Sequence, residues 1–234
     1  MKTMIVSDFA ALRSALLQLV GICLVVSLFM SYVMGAVGTS AAIGAMIPFM
    51  CLFSLAALDE QNGWERFRLT LPITRRQVVL GRYASVAIAT VLAFVFSLAL
   101  SFALLAVMGL LPAAWVPESL APAENPPAAI VGATAGSVGI VMIAMVVALP
   151  LIMRFGMTKA ARIVPLVVVI VIAGCVSFFD ADYLFANGLV SDLVAWLDTG
   201  SNYLVAAGAT LAAVAILYIA SAFLSAKLYE GREF

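Results

Sequence analysis

The sequence predicts an all-α, polytopic membrane protein with six transmembrane helices. Of its 234 residues, 65% are hydrophobic and only 10% are charged, whereas a soluble domain is about half apolar and about a quarter charged. The apolar residues also gather into long runs, each close to the ~20 residues that a helix needs to cross the hydrocarbon core. A third observation, the placement of every lysine and arginine, supports the same number of crossings.

Six apolar runs are long enough to span a membrane. Their length identifies them, because a helix that faces lipid can be apolar on every side and then shows little periodicity. The runs are Leu16–Met34, Ala41–Leu58, Tyr83–Leu111, Ala128–Met153, Ile163–Phe179 and Tyr203–Leu224. The polar segments between them are no longer than about two dozen residues. We therefore expect residues 1–234 to form a single transmembrane domain with no soluble domain.

Lysine and arginine are confined to four segments that alternate with segments lacking them. The N-terminal segment holds two, the loop after the second span five, the loop after the fourth span three and the C-terminal tail two, which accounts for all 12. The charged residues of the intervening segments are all acidic. Because basic loops stay in the cytoplasm, we expect both termini and the loops 59–82 and 154–162 to be cytoplasmic.

The first segment, Met1–Ser14, has the pattern of a helix that lies on the inner membrane surface. Lys2 and Arg13 flank an apolar stripe on one side and Asp8 flanks it on the other, as in interfacial helices. The stripe consists of Ile5, Phe9, Leu12 and Leu16. The alternative is a simple lead-in to the first span.

The longest predicted cytoplasmic loop, Asp59–Arg82, carries two helix patterns. Thr74 and Gln77 have the spacing of a capping box, so the third spanning helix is expected to begin at Thr74. The stretch 63–71 has room for a short helix with one apolar face. That face consists of Trp64, Phe67 and Leu71.

Charges in this loop oppose the helix dipoles. Asp59 and Glu60 follow the second span, where the C-terminal end of a helix disfavours anions. Arg75 and Arg76 begin the third, where the N-terminal end disfavours cations. We expect the acidic and basic pairs to bind each other, and ordinary surface charge is the alternative.

Several kinds of chemistry are absent. The chain has no histidine, which excludes Ser-His-Asp and Cys-His catalysis and imidazole metal sites. It has no phosphate-binding loop of the Gly-x-x-x-x-Gly-Lys-Ser/Thr type. No charge lies well inside a run, although ion-coupled carriers usually need buried ionisable groups. We expect no catalytic residue and no metal site, and the energy source to be another chain.

The three cysteines lie inside apolar runs and are interpreted as reduced packing residues. They are Cys23, Cys51 and Cys175.

Two motifs in the first predicted cytoplasmic loop resemble a known family. Residues 59–64 read Asp-Glu-x-Asn-Gly-Trp, and residues 71–83 read Leu-Pro-Ile-Thr-Arg-Arg-x-x-Val-x-x-Arg-Tyr. Both are similar to the first cytoplasmic loop of ABC type-2 transporter permeases, above all the six-helix permeases of bacterial exporters whose ATPase is a separate polypeptide. The sequence detail covers only about a tenth of the chain, and the predicted topology resembles theirs over its whole length.

The resemblance implies a permease subunit in the bacterial plasma membrane. Two permease chains, identical or sisters, would pair above two ATPase subunits, which would bind ATP and magnesium. This chain itself would bind no cofactor and no nucleic acid, and its first cytoplasmic loop would form a coupling helix in a groove of the ATPase. By position the coupling residues are Glu60, Gly63, Trp64, Glu65, Arg66, Leu71, Pro72, Arg75 and Arg76. A second, smaller contact would involve Arg154, Lys159 and Arg162.

Members of that family export antimicrobial peptides, toxins, drugs and lipid-linked compounds. The apolar, methionine-rich sequence favours an amphipathic or hydrophobic substrate such as a peptide, because methionine adapts to varied surfaces. Three other classes remain open at this stage: an ion-coupled carrier or channel, a membrane enzyme, and a non-transporting scaffold or immunity protein. A neighbouring gene for a phosphate-loop ATPase would separate the exporter from the carrier.

Overall fold

The computed structural model describes residues 2–64, 74–112, 116–121, 124–164, 166–167, 188–197 and 202–230. The regular structure in these ranges is helical, which confirms the all-α prediction for them. The α-helices are α1 Lys2–Met34, α2 Val37–Ala45, α3 Ile47–Gln61, α4 Arg75–Leu110, α5 Pro127–Phe155, α6 residues 157–164, α7 Leu189–Leu197 and α8 Asn202–Glu230. A 3-10 turn, Glu118–Leu120, lies between α4 and α5.

Five segments within the described ranges are long and apolar enough to cross a membrane. They are Ala15–Met34, Val37–Gln61, Arg75–Leu110, Pro127–Phe155 and Asn202–Glu230. Each contains one of the predicted runs or coincides closely with it. The predicted fifth span, Ile163–Phe179, lies largely outside the described residues, so the count of six stays a prediction.

The second crossing is made of two helices. α2 ends at Ala45 and α3 begins at Ile47, with Met46 between them. Pro48 follows in the first turn of α3, where its missing N–H costs nothing to the new helix. The same ring would clash with a helical carbonyl four residues earlier, which explains why one unbroken helix does not form.

α1 is one helix of 33 residues, or about 50 Å, which exceeds the ~30 Å of the hydrocarbon core. A separate interfacial helix over Met1–Ser14 is therefore not confirmed, because the helix continues without a break into the first span. Its first turns bury Met4, Asp8 and Leu12. Of the predicted apolar stripe only Leu12 is fully buried. The buried face of the helix instead includes the Asp8 carboxylate, which is bound by Arg82 and Ser85 of α4.

The main core lies at the end of the bundle where α3 finishes and α4 begins. It joins residues of α1, α2, α3, α4, α5, α6 and α8. Among its members are Leu52, Val79, Tyr83, Val86, Met145, Leu149, Ile152, Tyr218 and Tyr229. Because seven helices share this core, they are held together as one packed layer.

A smaller core at the opposite end includes part of the segment between α4 and α5. Leu120, in the 3-10 turn, is completely buried. Its neighbours in this cluster are Val37, Leu104, Leu105, Met108 and Ile130. Asn125 holds the turn by donating its side-chain amide to the Ser119 carbonyl at 2.8 Å. The prolines of this segment do not prevent one apolar side chain, Leu120, from packing into the core.

Candidate functional site

The charged residues divide between the two ends of the bundle. All lysines and arginines of the described ranges belong to the segments at one end, which we call the basic end. They are Lys2, Arg13, Arg75, Arg76, Arg82, Arg154, Lys159, Arg162 and Lys227. The opposite end holds Glu118, Glu124 and Asp192. This separation agrees with the charge split predicted from the sequence.

The first predicted coupling segment starts where α3 ends at the basic end. Asn62 closes α3 by donating its side-chain amide to the Leu58 carbonyl at 3.0 Å. Gly63 then adopts φ +66, a conformation that glycine accepts and that turns the chain out of the helix. Trp64 follows with 45% of its side chain exposed. It borders a cavity of about 140 Å³ between α1 and α3.

Arg82 is buried at the basic end, although the sequence suggested a loop position. Only 2% of it is exposed. One guanidinium nitrogen donates to Asp59 Oδ2, and the other lies 3.3 Å from Asp8 Oδ2. Ser85 also donates to Asp8 Oδ2, at 2.9 Å. Because a buried charge is costly without partners, these contacts fix α1, α3 and α4 relative to one another.

The signal for this burial was present in the sequence. When the α4 helix is counted from the Thr74 cap, Arg82 falls between Val79 and Val86 on one apolar face at helical spacing. The expected loop ended at Arg82 only because the apolar run begins at Tyr83. No comparable pattern identified Asp8 as its partner.

Glu60 joins the two predicted contact loops. Its carboxylate accepts a hydrogen bond from the Thr158 backbone N–H at 2.9 Å and another from the Thr158 hydroxyl. Thr158 lies in the first turn of α6, where free N–H groups and the helix dipole favour an anion. Neither this partner nor the pairing of Asp59 with Arg82 was expected from the sequence.

The start of α4 confirms the predicted capping box. The Thr74 N–H donates to Gln77 Oε1 at 3.1 Å, and the Gln77 N–H donates to Thr74 Oγ1 at 3.2 Å. Arg75 and Arg76 are exposed. Arg75 donates to the Glu230 carbonyl at 2.8 Å, so its cation lies against the negative end of α8. This contact offsets the unfavourable position of Arg75 in its own helix.

The second predicted contact surface is an exposed, basic face. Arg154, Lys159 and Arg162 are all exposed, and the Arg154 guanidinium lies 5.6 Å from the centre of the Phe155 ring. Ala160, on the other side of α6, is completely buried. The described part of α6 therefore presents cations outward and packs Ala160 inward.

Four of the predicted coupling residues lie outside the described residues. They are Glu65, Arg66, Leu71 and Pro72. The structure does bring the remaining ones to one end of the bundle, together with the second contact. Sequence reasoning missed Thr158, Arg82 and Asp8, which connect the predicted residues to the rest of the bundle.

A hydroxyl network connects α4 to α8 next to Arg82. The Tyr83 hydroxyl lies 2.8 Å from Ser221 Oγ and 2.6 Å from Ser225 Oγ. Tyr218 donates to the Tyr83 carbonyl at 2.8 Å. Ser221 in turn donates to the Val146 carbonyl of α5 at 2.8 Å. These bonds extend the polar layer of the basic end across three helices.

Comparison with known proteins gives one family. A family model described as "ABC-2 family transporter protein" matches residues 3–230, which is nearly the whole chain. No curated protein and no solved structure matches.

Proposed function

This chain belongs to the ABC-2 family of transporter proteins, and on that premise we propose that it is the permease subunit of a bacterial ATP-binding-cassette exporter. ATP hydrolysis then belongs to a separate ATPase chain, which binds the nucleotide and magnesium. The permease acts in the plasma membrane with both termini in the cytoplasm, and pairs with a second permease chain, identical or a sister.

The observation that carries this proposal is the construction of the basic end. Trp64 is a large aromatic side chain that stays half exposed just after the turn at Gly63. Arg75 and Arg76, in the first turn of α4, and Lys159, in the first turn of α6, are exposed cations at the same end of the bundle. Tryptophan and arginine are both enriched at interface hot spots. We assign this surface to the ATPase.

The mechanical connections of this surface suit the same role. Through Arg82, α3 is joined to α1 and α4, and through Arg75, α4 is joined to the end of α8. A force applied near Trp64 therefore acts on several spanning helices at once. We propose that closure of the ATPases moves these helices and opens a path for an amphipathic or hydrophobic substrate, such as a peptide.

Co-purification tests the proposal. A tagged chain should retain its ATPase, identified by mass analysis of the proteins that elute with it, and the isolated chain should hydrolyse no ATP. Trp64→Ala should reduce the bound ATPase, because truncating an interface hot spot costs about 2 kcal/mol or more, or about thirtyfold in affinity. Trp64→Phe retains a ring and should lose less.

The alternative is that Trp64 lies at the lipid headgroup level, where tryptophan is common. It predicts equal ATPase recovery and equal export with wild type, Trp64→Ala and Trp64→Phe, at equal permease levels in the membrane. That result would contradict the coupling assignment.

A further inference from the structure

We propose that Glu60 and Thr158 are positioning residues that join the two cytoplasmic contacts into one unit. Displacement of the first loop by the ATPase would then be passed directly to α6 and the helices behind it. This inference rests on the proposed function, since it assigns the way in which the coupling surface transmits motion.

The geometry of the contact supports transmission because both partners belong to regular helices. Glu60 lies in the last turn of α3, which ends at Gln61. Thr158 lies in the first turn of α6, and this helix begins directly after Gly156, which has a φ of +78. Two hydrogen bonds to one carboxylate restrain both the distance and the orientation of the two helix ends.

The cap on α6 comes from far away in the sequence. Helix starts are usually capped by a residue at the boundary itself, but the position before α6 is glycine, which has no side chain to offer. Glu60 is 98 residues away and supplies the missing acceptor. A cap of this kind makes the start of α6 depend on the position of α3.

The far side of α6 is fixed in the main core. Ala160 and Val164 are buried there, and Ile152 and Met153 of α5 belong to the same cluster. A displacement of the α6 start is therefore passed to packed side chains rather than lost in a loose loop.

The contact is separable from the stability of the fold. The adjacent residue, Asp59, already holds α3 to α1 and α4 through Arg82. Glu60 and Thr158 are both exposed, and the bond between exposed groups contributes little to folding. Because Glu60 has interactions besides those with Thr158, substitutions at Thr158 give the cleaner test.

The test uses the complex of permease and ATPase in lipid vesicles. Glu118→Cys, at the opposite end of the bundle, is introduced after alanine replaces Cys23, Cys51 and Cys175. Its rate of labelling by a thiol reagent is compared with and without ATP and vanadate, which holds the ATPases closed. The variants are Thr158→Val, which keeps the shape but removes the hydroxyl donor, and Thr158→Ser, which keeps the donor. Melting temperature and bound ATPase are measured for each.

Thr158→Val should bind as much ATPase as wild type and melt at the same temperature. Its ATP-dependent change in labelling should fall by up to about fivefold, the largest factor that an exposed contact to a charged group supports. Thr158→Ser should restore most of the change, because the hydroxyl returns.

Each other outcome overturns the inference. A full labelling response in Thr158→Val would show that the contact transmits nothing. If Thr158→Val melts at a lower temperature and loses its labelling response, and Thr158→Ser does not restore that response, the contact has only a structural role. Trp64→Ala is measured in parallel: if it weakens ATPase binding while Thr158→Val responds normally, the proposed function stands and this inference fails. If no ATPase binds to the wild-type chain, both fail.

Discussion

Arg82 is an arginine buried among largely apolar residues. Its guanidinium lies almost completely buried beside the carboxylates of Asp8 and Asp59. An ion removed from water costs several kcal/mol unless other charges and hydrogen bonds compensate. The two carboxylates supply that compensation, so the three residues stabilise the basic end only as a set.

Removing the cation alone should be severe. Arg82→Met leaves two buried carboxylates close together, and breaking a buried ion pair from one side costs about 3–5 kcal/mol. We expect a much lower melting temperature of the purified permease in detergent. Adding Asp8→Asn and Asp59→Asn should recover part of the loss, because replacing a whole buried charge set by neutral groups is often tolerated.

The matched control is Arg76→Met, on the same helix but exposed. It should melt like the wild type, since exposed charges contribute little to stability. Equal melting of Arg82→Met and Arg76→Met would contradict the assigned role of Arg82.

The residue contacts that the sequence predicts correctly are those between residues close together in the chain. The capping box of Thr74 and Gln77 depends on residues three apart, and the structure contains both of its hydrogen bonds. The partners of Asp59 and Glu60 are 23 and 98 residues away. The helix dipoles predict that Asp59 and Glu60 need partners. They do not predict which residues far along the chain, such as Arg82 and Thr158, bind them.

Helix contacts in this bundle depend on small residues, and among the described glycines the tightest position joins α2 to α4. Gly44 faces Ser97, and a Cβ added to Gly44 would lie 3.1 Å from the Ser97 Cβ and 3.3 Å from its Cα. Both distances are shorter than ordinary van der Waals contact. Next to them, Ser40 and Ser101 join the same helices by a hydroxyl contact of 2.9 Å. The two backbones can approach this closely only because Gly44 has no side chain.

Gly44→Ala should therefore force α2 and α4 apart. Overpacking of this kind costs about 1–3 kcal/mol, and we expect a lower melting temperature. Ser97→Gly removes the opposing side chain, so the double variant should melt above the level expected from the two single variants.

Gly136→Ala on α5 is the control, because nothing lies within 4 Å of a Cβ at that position. It should not lower the melting temperature, since alanine is the better helix former. If Gly44→Ala were equally harmless, the close approach of α2 and α4 would be wrong.

Length alone predicts the helices, but it does not predict which of their residues meet. Five of the six predicted runs correspond to described segments long enough to span, and the run Ile163–Phe179 lies largely outside the described residues. On α5, Gly132 lies close to Tyr203 of α8 and Gly139 close to Thr210, whereas nothing lies within 4 Å of a Cβ at Gly136. In a chain rich in alanine and glycine, many small-residue spacings coexist. The side chains of the partner helix decide which of them becomes a contact.

The arrangement of whole helices bears on the number of crossings. α5 and α8 run parallel, because positions 132, 139 and 146 of α5 meet Tyr203, Thr210 and Ser221 of α8 in the same order. α5 ends at the basic end and α8 begins at the opposite end. The chain must therefore return from one end to the other between residues 155 and 202. This requirement supports the predicted fifth span, Ile163–Phe179, and with it an even number of crossings and two termini on one side.

Cysteine labelling in intact cells tests this topology together with its orientation. In a background without the native cysteines, Glu118→Cys and Asp192→Cys should react with a membrane-impermeant thiol reagent added outside, because both residues lie at the end of the bundle opposite the basic end. Arg76→Cys and Lys159→Cys should react only after the membrane is opened, since basic segments stay in the cytoplasm. All four residues are exposed, so burial cannot explain a lack of reaction. The reverse pattern would invert the orientation, and would place the surface around Trp64 out of reach of any cytoplasmic ATPase. Reaction of Glu118→Cys but not of Asp192→Cys from outside would instead contradict the predicted fifth span.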